Sequence, residues 1–213
     1  MNNDLESHLN EELRKLLRSL NNPAEIQAYL DKIPYNPENT NRSPASVLRD
    51  GIAHCLDGGL FAAAALQRIG YGAFIIDLLP EPGIDDDHVL AIYKQNGHLG
   101  AIAKSNFTGL RFREPIYRSL RELTLSYFPM YFNSRGEKTL RAYTRPLNLK
   151  NFDHLGWMWR DEAADVIEQE FHKLRNFPLL KEEMIAGLSL VDSRTYQAGL
   201  LGANESGLYK LSE

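Results

Sequence analysis

The chain of 213 residues holds a single cysteine, Cys55. One cysteine excludes an intrachain disulfide and the usual structural zinc sites, which take two or more thiolates. A fold without disulfides suits a reducing compartment, so the cytoplasm is the expected location. Long apolar runs are also missing. The longest, Gly58 to Leu66, is nine residues, about half of what a bilayer span needs, and no membrane is expected. The N-terminus Met1-Asn2-Asn3-Asp4-Leu5-Glu6 has neither the basic nor the apolar region of a signal peptide. Positive charge is not in excess: 24 Lys and Arg face 28 Asp and Glu, a formal net charge of −4. That balance gives no reason to expect nucleic acid as a partner.

What is present is the composition of a soluble globular chain, with 43% hydrophobic and 24% charged residues. The length suits one domain, with residues 1–150 forming it and 151–213 a mainly helical extension packed on it. Leu5, Leu9, Leu13, Leu16, Leu17 and Leu20 recur at helical spacing and predict one amphipathic helix. Asn21-Asn22-Pro23 ends it and opens a second. Ser43-Pro44 starts a short third helix, with Ser as cap and Pro at the first position. A more apolar helix covers Cys55 to Ile69, closed by Gly70. Strands follow at 73–79, 88–94 and 98–103, with Asn96-Gly97 as a type I′ hairpin turn. Residues 119–131 read as helix, 138–147 as one strand and 153–174 as mainly helix. Residues beyond these form a loosely packed extension. Helices followed by antiparallel strands make an α+β pattern.

Cys55 starts its helix, where free N–H groups and the helix dipole stabilise a thiolate. Gly58 and Gly59 in the first turns cost about 1 kcal/mol each against alanine. Close approach of another backbone or of a substrate would offset that. Asp57, in the first turn, opposes thiolate formation. His88 begins a strand after Asp85-Asp86-Asp87 and is a candidate base for the thiol. Its bland alternative is a strand-edge imidazole held by those aspartates, and that of Cys55 is a small buried hydrophobe. His54, Cys55, His88 and the aspartates match no standard metal spacing, so no metal or other cofactor is expected. Residues 104–145 are rich in Lys and Arg, which read as solvated faces or as a surface for an acidic group. Trp157 and Trp159 read as packing anchors in the later helix.

These residues carry a resemblance. The segment His54-Cys55-Leu56-Asp57-Gly58-Gly59 with its helix through Leu66, then Ile69-Gly70-Tyr71, then Asp87-His88-Val89-Leu90-Ala91-Ile92-Tyr93 and the hairpin, resembles the transglutaminase-like branch of the papain-type cysteine enzymes. The resemblance covers roughly residues 43–108. It implies a Cys-bearing helix packed on a small antiparallel sheet, and a Cys–His–Asp/Asn triad acting on acyl groups. Carried over, Cys55 is the nucleophile and His88 the base. Lys104 stands where the family's acid usually lies, and a lysine cannot accept a hydrogen bond from imidazole. Asn106, in preference to Ser105, is the third residue. Gly58, Gly59, Lys104 and Ser105 are the expected substrate-contacting positions. The implied activity is cysteine-dependent hydrolysis of an amide or peptide bond, or acyl transfer, on a peptide or protein substrate. The alternative, favoured by Lys104 and Asp57, is an impaired domain that serves as a binding or assembly module.

Overall fold

The computed structural model describes residues 4–210. The N-terminal leucine stripe is shared by two helices, α1 (Asp4–Ser7) and α2 (Glu11–Ser19). The expected single helix is interrupted because Asn10 caps a new one, its side chain accepting the Leu13 N–H at 2.9 Å. Helix α3 (Pro23–Lys32) starts from Asn22, and α4 (Pro44–Asp50) runs from Ser43 to a left-handed Gly51. Helix α5 (Cys55–Arg68) is buried from Leu56 to Leu66.

Seven strands form one antiparallel sheet, wider than expected. They are β1 (Phe74–Pro80), β2 (His88–Gln95), β3 (His98–Ile102), β4 (Arg113–Tyr117), β5 (Leu140–Thr144), β6 (Leu147–Asn148) and β7 (Asn176–Pro178). The order is β4-β3-β2-β1-β5-β7, and β6 pairs with β1 beside β5. The β2–β3 hairpin turns at Asn96 and Gly97, at φ 50° and 83°, as a type I′ turn requires. The expected strand at 138–147 divides into β5 and β6, both paired with β1.

Helix α6 (Leu120–Leu125) ends sooner than the apolar stripe suggests, and Phe128–Met130 is a separate 3₁₀ turn. Helix α7 (Asp161–Phe171) is preceded by a 3₁₀ stretch at Leu149–Leu155, not by more helix. Trp157 and Trp159 therefore lie ahead of α7. Trp157 is buried and donates its indole N–H to Asp153 at 2.9 Å, while Trp159 stacks on His8 at 4.1 Å. The C-terminal region adds α8 (Glu182–Ala186), α9 (Ser193–Gly199) and a 3₁₀ turn at Glu205–Gly207.

The sheet is covered on both faces. Ile75, Val89, Ala91 and Tyr93 pack with α5 in one core. Ile76, Leu78, Leu90 and Ile92 pack with Tyr127 and Tyr131 in the other. This explains why β1 and β2 read as continuous apolar runs. The fold is thus α+β, a Cys-bearing helix on an antiparallel sheet with helices added at both ends, as the transglutaminase-like resemblance implies. Among the described residues no helix is long and apolar enough to cross a membrane.

Much of the basic stretch braces the protein internally. Arg113 donates to Ser126 Oγ at 2.9 Å and to the Gly109 carbonyl at 2.8 Å, with its guanidinium 3.9 Å over the Tyr127 ring. Arg121 donates to the Leu179 carbonyl, Lys138 to that of Ser189, and Arg141 pairs with Glu81, each at 2.8 Å.

Candidate active site

The start of α5 is built around a capping box. His54 Nδ1 accepts the Leu56 N–H at 3.2 Å. The Asp57 carboxylate accepts the N–H of His54 at 3.2 Å and that of Arg42 at 2.6 Å. His54 Nε2 stands 3.3 Å from Asp57 Oδ1. Asp57 thus ties the loop before α4 to the helix that carries the thiol. Its burial pushes its carboxyl up to about 7, and burial lowers His54 to about 4, which keeps that imidazole neutral. The cap also occupies an N–H that would otherwise stabilise a thiolate.

Gly58 and Gly59 serve packing. A Cβ on Gly58 would come within 2.2 Å of Lys104 Cβ, and one on Gly59 within 2.6 Å of Val89 Cγ1. The glycines let α5 lie directly on β2 and the end of β3. Neither lines the cleft in front of Cys55.

Cys55 is half-buried. It opens into a cleft of about 370 Å³, walled by Tyr35, His54, Asp87, Glu168, His172 and Gly207 among others. The Val89 N–H donates to the sulfur, which favours the thiolate, but burial and the charge of Asp87 outweigh it and hold the thiol well above its ordinary value. The protein therefore presents a neutral thiol.

The packing of the Val89 side chain against Gly59 sets the phase of β2. Val89, Ala91 and Tyr93 face α5; His88, Leu90 and Ile92 face the other core. His88 Nε2 donates to the Leu110 carbonyl at 2.7 Å, and the ring meets Tyr131 edge-on at 6.5 Å. Burial lowers its pKa to about 4. The structure does not bring His88 to Cys55, because neighbouring strand residues point to opposite faces.

The acidic group on the thiol's face is Asp87, two residues before Val89. Beside it in β1 is Asp77, 3% exposed, and the two carboxyls share a hydrogen bond. Asp77 also accepts the His88 N–H, while its Oδ1 is buried with no hydrogen-bond partner. Burial and the charge of Asp87 raise Asp77 well above the carboxylate range, so it carries the shared proton. Enclosure in the cleft and the charges of Asp86 and Glu168 bring Asp87 up to about 6.

The remaining expected residues lie apart from the thiol. The β2–β3 register, continued two residues beyond Ala91–Ile102, sets Lys104 across from Val89. Its side chain then turns away, and Nζ donates to the carbonyls of Leu30 and Ile33, at 2.8 and 2.6 Å, closing the end of α3. Ser105 Oγ accepts the Phe107 N–H at 3.0 Å. Asn106 exchanges two bonds with Asn204: its Nδ2 donates to the Asn204 carbonyl at 2.8 Å and its Oδ1 accepts the Asn204 N–H at 2.7 Å. Ser105 and Asn106 share a void of about 40 Å³ with His88. His88 and Asn106 thus border one small void, whose walls Tyr35, Asp86, Asp87 and Gly207 also line the Cys55 cleft, and Asn106 is committed to the C-terminal segment. Lys104, Ser105 and Asn106 also border a separate cleft of about 480 Å³ that does not include Cys55.

Sequence reasoning missed Asp77, Asp87, Glu168, His172 and the segment at 204–208. Asp77 was visible as a lone carboxylate in the apolar run Phe74-Ile75-Ile76-Asp77-Leu78-Leu79. Among the described residues no three His, Cys, Asp or Glu side chains converge as metal ligands.

No protein-family model and no curated protein matches the chain. The solved structures similar to it include two of one protein. One is Legionella pneumophila LapG, with a TM-score of 0.40 and 14% identity, spanning 76% of this chain and 93% of that one. The other is EGTA-treated L. pneumophila LapG, with a TM-score of 0.35 and 14% identity, spanning 48% and 67%.

Proposed function

We propose that the Cys55 cleft carries out acyl chemistry, with Cys55 as the nucleophile in hydrolysis of an amide or peptide bond. The observation that supports this is the position of Cys55: half-buried, at a helix start, and lining a cleft with the carboxylate of Asp87. The cleft volume of about 370 Å³ admits a side chain and its flanking amide rather than a folded surface. Asp86, Asp87 and Glu168 on its walls suit a substrate segment with a cationic or amino group next to the scissile bond.

The second reading is a binding module built on the same fold. It is favoured by the commitment of His88 Nε2 to the Leu110 carbonyl and by the raised thiol pKa. Acylation separates the two. With one cysteine in the chain, any thioester mass adduct is assigned to Cys55 without mapping. Treating the protein with p-nitrophenyl acetate near pH 7 is expected to give an acetyl adduct that turns over and is lost in Cys55→Ala. A protein that stays unmodified over hours, with its fold intact, would be a binding module.

A further inference from the structure

We propose that Asp87 is the proton acceptor for Cys55, with Asp77 as the positioning residue that holds it. This inference rests on the acyl-enzyme reading above. The geometry comes from the pleat. Val89 packs against Gly59 of α5, and it and Asp87, two residues earlier, line the cleft together with Cys55. Asp87 lines the cleft with Cys55, whereas His88 is turned into the opposite core. Asp77 is the register partner of Val89 in β1, which brings its side chain to the same face and to Asp87.

The two carboxyls divide their labour by environment. Asp77 is buried and keeps the proton, so it can donate to Asp87. Asp87 is open to the cleft and is the ionised member. A protonated carboxyl behind an ionised one fixes the direction of the acceptor, as the third residue of a triad fixes an imidazole. A neutral thiol is no obstacle here. The base removes its proton during attack, as happens with a serine hydroxyl.

The step balances as follows. Sulfur bonds to the acyl carbon while the Sγ proton passes to Asp87. The tetrahedral intermediate collapses with cleavage of the C–N bond, and Asp87 returns the proton to the departing amine. Water then attacks the thioester and gives a proton to Asp87. The C–S bond breaks, and that proton returns to sulfur. One water is consumed, and one acid and one amine are released.

The groups facing Asp87 are Asp77 from β1, Asp86 on its own loop, Cys55 and His54 at the start of α5, Glu168 and His172 from α7, and Tyr35. The test is the rate of p-nitrophenol release from p-nitrophenyl acetate between pH 4.5 and 9, with intact mass to report the Cys55 adduct. In wild type the rate should fall as the pH drops through about 6, where Asp87 takes up a proton. Asp87→Asn should lower the neutral rate on the order of 10²-fold and remove that inflection. Asp77→Asn presents an N–H₂ where the protonated carboxyl stood, so it should retain the rate within several-fold. Asp77→Ala should not. His88→Gln should leave the profile unchanged.

An Asp87→Asn protein acylated at least as fast as wild type would overturn the assignment and leave the acyl-enzyme reading standing. So would a loss seen only in His88→Gln. Absence of any Cys55 adduct in folded wild type would remove both. Thermal melts establish folding for each variant, and Asp87→Ser, which asks nothing of the loop packing, provides a second removal of the carboxylate.

Discussion

The two faces of β2 carry the same kind of residue to opposite ends. On one face Val89 packs against Gly59 of α5 and lines, with Cys55, a cleft. On the other, His88 is sealed between Leu110 and Tyr131 with its Nε2–H spent on a carbonyl. The difference teaches that a reactive residue type and a reactive position are separate properties. Asp87, an ordinary loop carboxylate by type, has the position. His88, the usual base by type, has the packing of a core residue.

The largest effect should come from titrating the buried face. His88 has a folded pKa of about 4, below its ordinary 6.5. Its contribution is fully present above about pH 6.5 and is lost as the pH falls toward 4, because only the unfolded chain binds the proton in that window. Relative to His88→Gln, wild type should lose about 3 kcal/mol between pH 7 and 4, read from urea melts at the two pH values. A constant difference across that range would mean that the imidazole is solvated.

A smaller effect should come from the α5 face. Gly58→Ala gains about 1 kcal/mol of helix propensity. It also drives a Cβ to 2.2 Å from that of Lys104, and overpacking of this kind costs about 1–3 kcal/mol. A net loss of about 1–2 kcal/mol, or a few degrees in Tm, is expected. A more stable variant would show that helix and sheet stand farther apart. The smallest effect on stability should be that of Asn106→Ala, which frees Asn204, just ahead of the cleft-wall residues Ser206, Gly207 and Leu208. It should cost no more than about 1–2 kcal/mol and speed iodoacetamide labelling of Cys55 several-fold. Unchanged labelling would mean that the segment does not govern access.

The helix that bears Cys55 was legible from its apolar run, and the hairpin from Asn96-Gly97, because both signals are local. The phase of β2 was not. His88-Val89-Leu90-Ala91-Ile92-Tyr93 is buried on both sides, so the alternation that would distinguish its faces is absent. The resemblance supplied the residue types Cys and His but not their orientation. Strands β4 and β7 escaped notice because they are short and owe their pairing to partners across the fold. Leucine spacing ran through the break at Asn10, where a side-chain cap competes with helix continuation.

The contribution of Ser206, Gly207 and Leu208 to the cleft wall has a consequence for biosynthesis. Helix α5 can meet β1 and β2 while the ribosome is still adding residues, since domains begin to fold as they emerge. The finished cleft must wait for a segment made long after Cys55. A nascent chain therefore passes through an interval in which its thiol is shaped on three sides and open on the fourth.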